Sequence, residues 1–174
     1  LNIIFNRKVL TIKKCISPSG IKSSKWILFL AIIIVLDSCK KNNRNVENRN
    51  DLLVKTCKNY LGTPYKFGGV SKDGMDCSGL IYKSFIDLGS SFPRVSYKQA
   101  DHFEEINKSD LRVGDLVYFK VNSNRINHTG IISKIITREQ VYFIHASTSK
   151  GVIEDHLFSK FWQSKFVKVT RPQL

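Results

Sequence analysis

The chain has 174 residues, 42% hydrophobic and 24% charged, a balance that argues against disorder throughout and sizes the molecule as one domain with a tail. Its formal charge is +14: residues 1–49 hold ten Lys or Arg against Asp37 and Glu47, a balance of +8, and residues 50–174 carry the remaining +6. That excess reads either as attraction for an anionic partner or as the mark of a chain rich in Lys, Ile and Asn; no basic cluster with interleaved aromatics stands out in the globular part, so nucleic acid is not expected as a partner.

In chain order, the first element is an address. Arg7, Lys8, Lys13, Lys14, Lys22 and Lys25 precede Trp26 to Leu36, a run of eleven residues without a polar side chain. A helix needs about 20 residues to cross a bilayer core. A signal-peptide apolar region needs roughly 7–15 after a basic start. Leu36-Asp37-Ser38-Cys39 follows and resembles a bacterial lipoprotein signal. The resemblance implies cleavage before Cys39 and diacylglyceryl attachment to its sulfur, although Asp37 stands where a small or apolar residue is usual. The expected organisation is a signal peptide over 1–38, a lipidated polar tether over 39–50 and a globular domain over 51–174. The membrane is then a partner through the Cys39 anchor and the protein is exported to the cell envelope, with Lys40 and Lys41 at the headgroups.

Cys15 leaves with the signal, so Cys57 and Cys77 are the cysteines of the domain. A bridge between them would consume the thiol singled out below; Cys57 instead reads as a small buried apolar group. Asp51 is placed to cap a helix over 52–61, in which Leu53, Cys57, Tyr60 and Leu61 form one apolar stripe. Gly62-Thr63-Pro64 ends it, and Tyr65 to Gly69 is a loop. A second helix is expected over 77–88, with Cys77, Leu80, Ile81, Ser84, Phe85 and Leu88 on its inward stripe and Gly89 just past its end. A short helical segment is expected near Tyr97–Phe103. Strands follow at 116–119, 129–136, 141–145 and 166–169, with a turn over 137–140. Helices first and strands afterwards predict an α+β fold, with N-terminal helices packed on an antiparallel sheet.

The chemistry gathers around Cys77. It opens a helix, where the positive end of the dipole favours thiolate. Two histidines lie in strand-like runs, His128 opening one and His145 closing another. A thiol beside an imidazole of ordinary pKa near 6.5 is the working pair of a cysteine hydrolase. The Cys77 amide, in the first helical turn, has no intrahelical partner and can face a developing oxyanion. No paired metal-ligand spacing accompanies these residues, so no metal is expected.

Gly62 to Gly69, Asp76-Cys77-Ser78-Gly79-Leu80, Pro93-Arg94, Gly114 to Phe119, His128-Thr129-Gly130-Ile131 and Ile144-His145-Ala146-Ser147 occur in this order. As a set they resemble the NlpC family, papain-like bacterial cysteine peptidases of the cell wall, over about residues 52–170. The compact lipoprotein type, without a separate wall-binding domain, is the one resembled. The resemblance implies a papain-like fold and a Cys-His-His triad. Cys77 is its nucleophile, His128 its base and His145 the residue that orients His128. Tyr65 is implied as a donor on the oxyanion side, and Asp76 and Ser78 as substrate contacts. Peptidoglycan stem or cross-link peptides are the implied partner, cut at a D-alanyl–diaminopimelate or γ-D-glutamyl–diaminopimelate bond without metal or organic cofactor by a protein expected to be monomeric. Thr129 stands where the family more often has an apolar residue, and the stretch from His128 to His145 is long. Two rival functions stay open: a wall-binding lipoprotein without turnover, and acyl transfer or amidase chemistry by the same Cys-His pair on another substrate.

Overall fold

The computed structural model describes residues 49–174; the expected signal peptide, Cys39 and most of the tether lie outside them. The described residues begin in helix α1, which runs over 49–58. Asp51 therefore sits inside this helix instead of capping it, and Asn50, assigned to the tether, is buried with its amide donating to the Pro172 carbonyl at 3.3 Å. Leu53, Val54 and Cys57 are buried. Leu61 is 46% exposed, because the helix gives way to a turn after residue 58 and the stripe loses its register.

A two-stranded hairpin, β1 (Val70–Ser71) and β2 (Gly74–Met75), precedes α2 (Cys77–Asp87). The bounds of α2 follow from its ends. Asp76 is the N-cap and accepts from the Gly79 amide, and Gly89 takes φ +71°, the left-handed conformation that closes helices. Helix α3 covers Ser96–Ala100, one turn where the pattern suggested a longer segment, and a single 3-10 turn lies at Lys108–Asp110.

Five strands form the main sheet: β3 (Leu116–Phe119), β4 (His128–Ile135), β5 (Val141–Ser147), β6 (Gly151–His156) and β7 (Phe166–Thr170). Their spatial order is β6-β5-β4-β3-β7, with every neighbouring pair antiparallel. Helix α4 (Lys160–Lys165) sits between β6 and β7 in sequence, with Ser159 as its N-cap. The α+β expectation holds, with helices packed on an antiparallel sheet, but the β1–β2 hairpin, β6 and α4 carry no pattern that the sequence analysis picked up. All are short, and β6 alternates weakly because it is an edge strand.

Side-chain alternation divides the interior into two cores. Leu116, Tyr118, Ile131 and Ile144 project to one face of the sheet and pack with Leu80, Ile81 and Phe85 of α2 and Leu53 of α1. Val117, Phe119, Ile132 and Phe143 project to the other and pack with Trp162 of α4. Burying side chains of this size contributes about 1.5–3 kcal/mol each. The first core fixes α2 under the sheet; the second fixes α4 over it.

Candidate active site

Helix α2 delivers Cys77 to the end of the sheet where β4 begins. The thiol lies 3.7 Å from the Asn127 carbonyl oxygen, and a thiolate there accepts from the backbone amide of Thr129. The sulfur is thus held against the backbone on both sides of His128. The amides of Ser78 and Cys77 itself also point at the sulfur, as unpaired donors of a first helical turn do.

The sheet register gathers the rest. Ile131 pairs with Ile144 and Ile132 with Phe143, so His145 projects on the same face as His128, diagonally across from it. His128 Nε2 and His145 Nδ1 share a hydrogen bond of 3.0 Å. The long interval between the two histidines is absorbed by the strands and by the turn at 136–140, closed by Ile136 N to Gln140 O at 2.9 Å. Gly130 makes the approach of the rings possible. A Cβ there would lie 2.6 Å from the Ile144 carbonyl and 3.1 Å from the His145 Cβ, closer than packed atoms tolerate.

Two groups absent from the sequence expectations complete the array. Asp155 of β6 accepts from His145 Nε2 at 3.0 Å and from the Trp162 indole N–H at 3.2 Å. Trp162 stacks on the His128 ring, with centroids 5.1 Å apart and planes at 19°. The clue available in the sequence was an aspartate and a tryptophan seven residues apart, ahead of the last strand, which without the fold marks nothing.

Burial sets the protonation of the pair. It pushes the Cys77 thiol up to about 11, with the Asp76 carboxylate adding and three backbone amides opposing. It pushes His128 down to about 3, with His145 adding and Asp155 opposing. The helix dipole was expected to favour thiolate; desolvation outweighs it here, and the pair rests as neutral thiol and neutral imidazole. Tyr65 lines the same cleft as Cys77, and burial, with the Asp76 carboxylate adding, raises its phenol, keeping it a hydrogen-bond donor.

Asp76 and Ser78 are engaged internally. The Asp76 carboxylate accepts from Arg94 at 2.8 and 2.9 Å, from Gly68 N at 2.7 Å, from Gly79 N at 2.6 Å and from Ser78 Oγ at 3.1 Å. Arg94 also donates to Ser78 Oγ at 2.9 Å, and Gln99 Nε2 donates to the Ser78 carbonyl at 3.0 Å. Together these bonds lock the turn that carries Cys77.

One cavity lies at the thiol and a second at the two histidines. The first, of about 410 Å³, is lined by Tyr65, Asp76, Cys77, Arg94 and Arg125 among others. The second, of about 570 Å³, is lined by His128, His145, Lys150, Asp155 and Trp162 among others. Cys77 lines the first and His128 the second.

The sequence model of the NlpC/P60 family matches residues 62–171. The chain is 40% identical over 116 residues to the probable endopeptidase NlpC of Escherichia coli K12, covering 66% of this chain and 72% of that one. It is 34% identical over 129 residues to the murein DD-endopeptidase MepS/murein LD-carboxypeptidase of the same organism, covering 74% of this chain and 65% of that one. A solved NLP/P60 family structure from Staphylococcus aureus, described as similar to lipoprotein, superposes with a TM-score of 0.60 at 31% identity, over 70% of this chain and 40% of that longer one.

Proposed function

Because the chain belongs to the NlpC/P60 family, we propose that it is a cysteine hydrolase of peptidoglycan peptides, working through Cys77, His128 and His145 and held at the cell envelope by a lipid on Cys39. The observation that carries the reading is the thiol lodged against the backbone of residues 127 and 129, on either side of His128, whose ring nitrogen Nε2 is bonded to a second imidazole at 3.0 Å. The names of relatives, a murein DD-endopeptidase and a γ-D-glutamyl-L-lysine dipeptidyl-peptidase, support wall peptides as the substrate class. Neither name specifies diaminopimelate, so the choice between the D-alanyl–diaminopimelate and γ-D-glutamyl–diaminopimelate bonds falls to the test below.

The proposed cycle starts from the neutral pair. His128 Nδ1, the ring nitrogen that His145 leaves free, takes the thiol proton as the sulfur attacks the scissile carbonyl. Negative charge collects on the carbonyl oxygen, within reach of the Cys77 amide and, across the cleft, the Tyr65 phenol. Collapse breaks the C–N bond; the imidazolium gives its proton to the leaving amine, and a thioester remains. Water then attacks the thioester, His128 takes the water proton, and the sulfur departs and is reprotonated. The products are a carboxylate and an amine. Arg125, whose guanidinium lies 5.0 Å over the Tyr97 ring at the rim of the first cavity, suits a stem peptide that bears carboxylates.

The test is a mass spectrum of purified wall peptides after incubation with the full chain. Hydrolysis adds one water at a single amide bond, and the bond cut is read from the fragments. Cys77→Ala and His128→Ala should each abolish the products while leaving the fold intact. Cleavage that survives Cys77→Ala would sink the proposal, and a new amide or ester in place of a free carboxylate would turn it to acyl transfer.

A further inference from the structure

The hydrogen-bonded array does not stop at His145. Strand β6 pairs with β5 so that Ile153 faces His145 and Asp155 faces Phe143. Asp155 is therefore the diagonal neighbour of His145, on the same face of the sheet, as His145 is of His128. One carboxylate oxygen, Oδ2, accepts from both His145 Nε2 and Trp162 Nε1. Hydrogen bonding to His145, against the cost of burial and helped by Trp162, holds the Asp155 carboxyl below the usual carboxylate range. An ionised carboxylate only accepts.

This imposes one direction on the chain of bonds. Against the carboxylate, His145 Nε2 must carry its hydrogen. In a neutral ring Nδ1 is then bare and accepts, so His128 Nε2 must carry the hydrogen of the shared bond. His128 Nδ1 is left with a lone pair. The opposite order would point the His145 Nε2 lone pair at the carboxylate and leave His128 Nδ1 protonated, unable to take a proton from Cys77. We propose that Asp155 is a positioning residue which, through His145, sets the tautomer of His128 that can act as base. The inference rests on the roles proposed above for Cys77 and His128.

Helix α4 supports the same arrangement. The Trp162 indole lies on the His128 ring and meets the His145 ring edge-on, with centroids 4.8 Å apart and planes at 72°. It thus limits the swing of both imidazoles while its N–H occupies the same oxygen of Asp155. Among the described residues, the charged and titratable groups around the array include His128, His145, Asp155, His156 and Lys150 in the β5–β6 turn, whose charge also acts on Asp155, with Cys77 against the Asn127 carbonyl.

Long-range proton–nitrogen NMR correlations on the full chain at neutral pH identify the tautomer of each imidazole without any substrate. Wild type should show both His145 and His128 as Nε2–H tautomers. Asp155→Ala should leave the shared bond without its bias, so that the Nδ1–H tautomer appears at both rings. In turnover of wall peptides the same variant should lose about 10- to 100-fold in kcat, by analogy with the loss when the hydrogen-bond partner of a metal-bound histidine is removed, with KM little changed. Trp162→Phe keeps an aromatic platform and the Asp155–His145 bond, and should keep the wild-type tautomers. His145 found as Nδ1–H in wild type overturns the proposal, even if the Asp155 variant fails to fold. So do unchanged tautomers in Asp155→Ala, or the same tautomer change in Trp162→Phe. A wild type that cleaves no wall peptide would instead defeat the proposed hydrolase, while the NMR result would still decide the role of Asp155.

Discussion

At the scale of single residues, the unexpected property is the resting state of the Cys77–His128 pair. The thiol is pushed up to about 11 and the imidazole down to about 3, in both cases chiefly by burial. Each shift favours the uncharged form, so the sulfur becomes anionic only as it attacks. Alkylation of Cys77 by iodoacetamide, followed by mass spectrometry, should therefore keep accelerating beyond about pH 9. A rate that levels off below neutrality would show a preformed ion pair instead. Cys57, which is fully buried and pushed up to about 12, should stay unmodified in the same experiment. Cys77, His128 and His145 were legible in the sequence because their types and order are chemically unusual. Asp155 and Trp162 were not, because each type also serves ordinary surfaces and cores. Thr129, the departure noted beside His128, projects to the opposite face from it; its hydroxyl is buried without a partner among the described residues.

At the scale of elements, the N-terminus of α2 is the part whose integrity matters most, and Asp76 holds it. Burial pushes the Asp76 carboxyl up, but Arg94 and the amides of Gly79 and Gly68 outweigh it, and the group titrates below its ordinary value. A folded value lower than the unfolded one, near 3.9, means that the stabilisation is complete above that pH and disappears as pH falls through the folded value. Wild type should thus lose thermal stability below about pH 4. Asp76→Asn keeps a capping side chain but loses the carboxylate that pairs with Arg94 and accepts from Gly68, so it should melt lower at neutral pH, and its Tm should fall less steeply in acid. Parallel acid slopes in the two proteins would show that Asp76 contributes no such term. The strands were legible where both of their faces are buried, as in β3 and the centre of β4. Edge strand β6 and six-residue α4 were missed because half-exposed short elements leave too few apolar positions to establish a period.

At the scale of the whole molecule, the sheet separates two cores and brings the candidate site to the one end where both contribute. Helix α2, seated on the first core, supplies the thiol. Strands β4 to β6, with α4 on the second core, supply the imidazoles, the carboxylate and the indole. The proposed attachment to the envelope belongs to the same scale. If Cys39 carries the lipid, Cys39→Ala should move the full-length protein from the membrane fraction to the soluble one. An unchanged distribution would rule out that anchor.

The amino-acid order alone determined the class of fold, the family, and the residues proposed as nucleophile, base and orienting histidine. These depend on local pattern and side-chain chemistry, which survive without coordinates: a capped amphipathic helix, apolar strands, a thiol in the first helical turn. What only the tertiary structure decided is the direction of the hydrogen-bond chain and the charge state of its members. Both depend on which strand neighbours which, in what register, and on how much water is excluded around the thiol. A one-residue slip of β6 against β5 would turn Asp155 to the opposite face of the sheet. No local feature of the sequence encodes that register, because it follows from packing both cores at once.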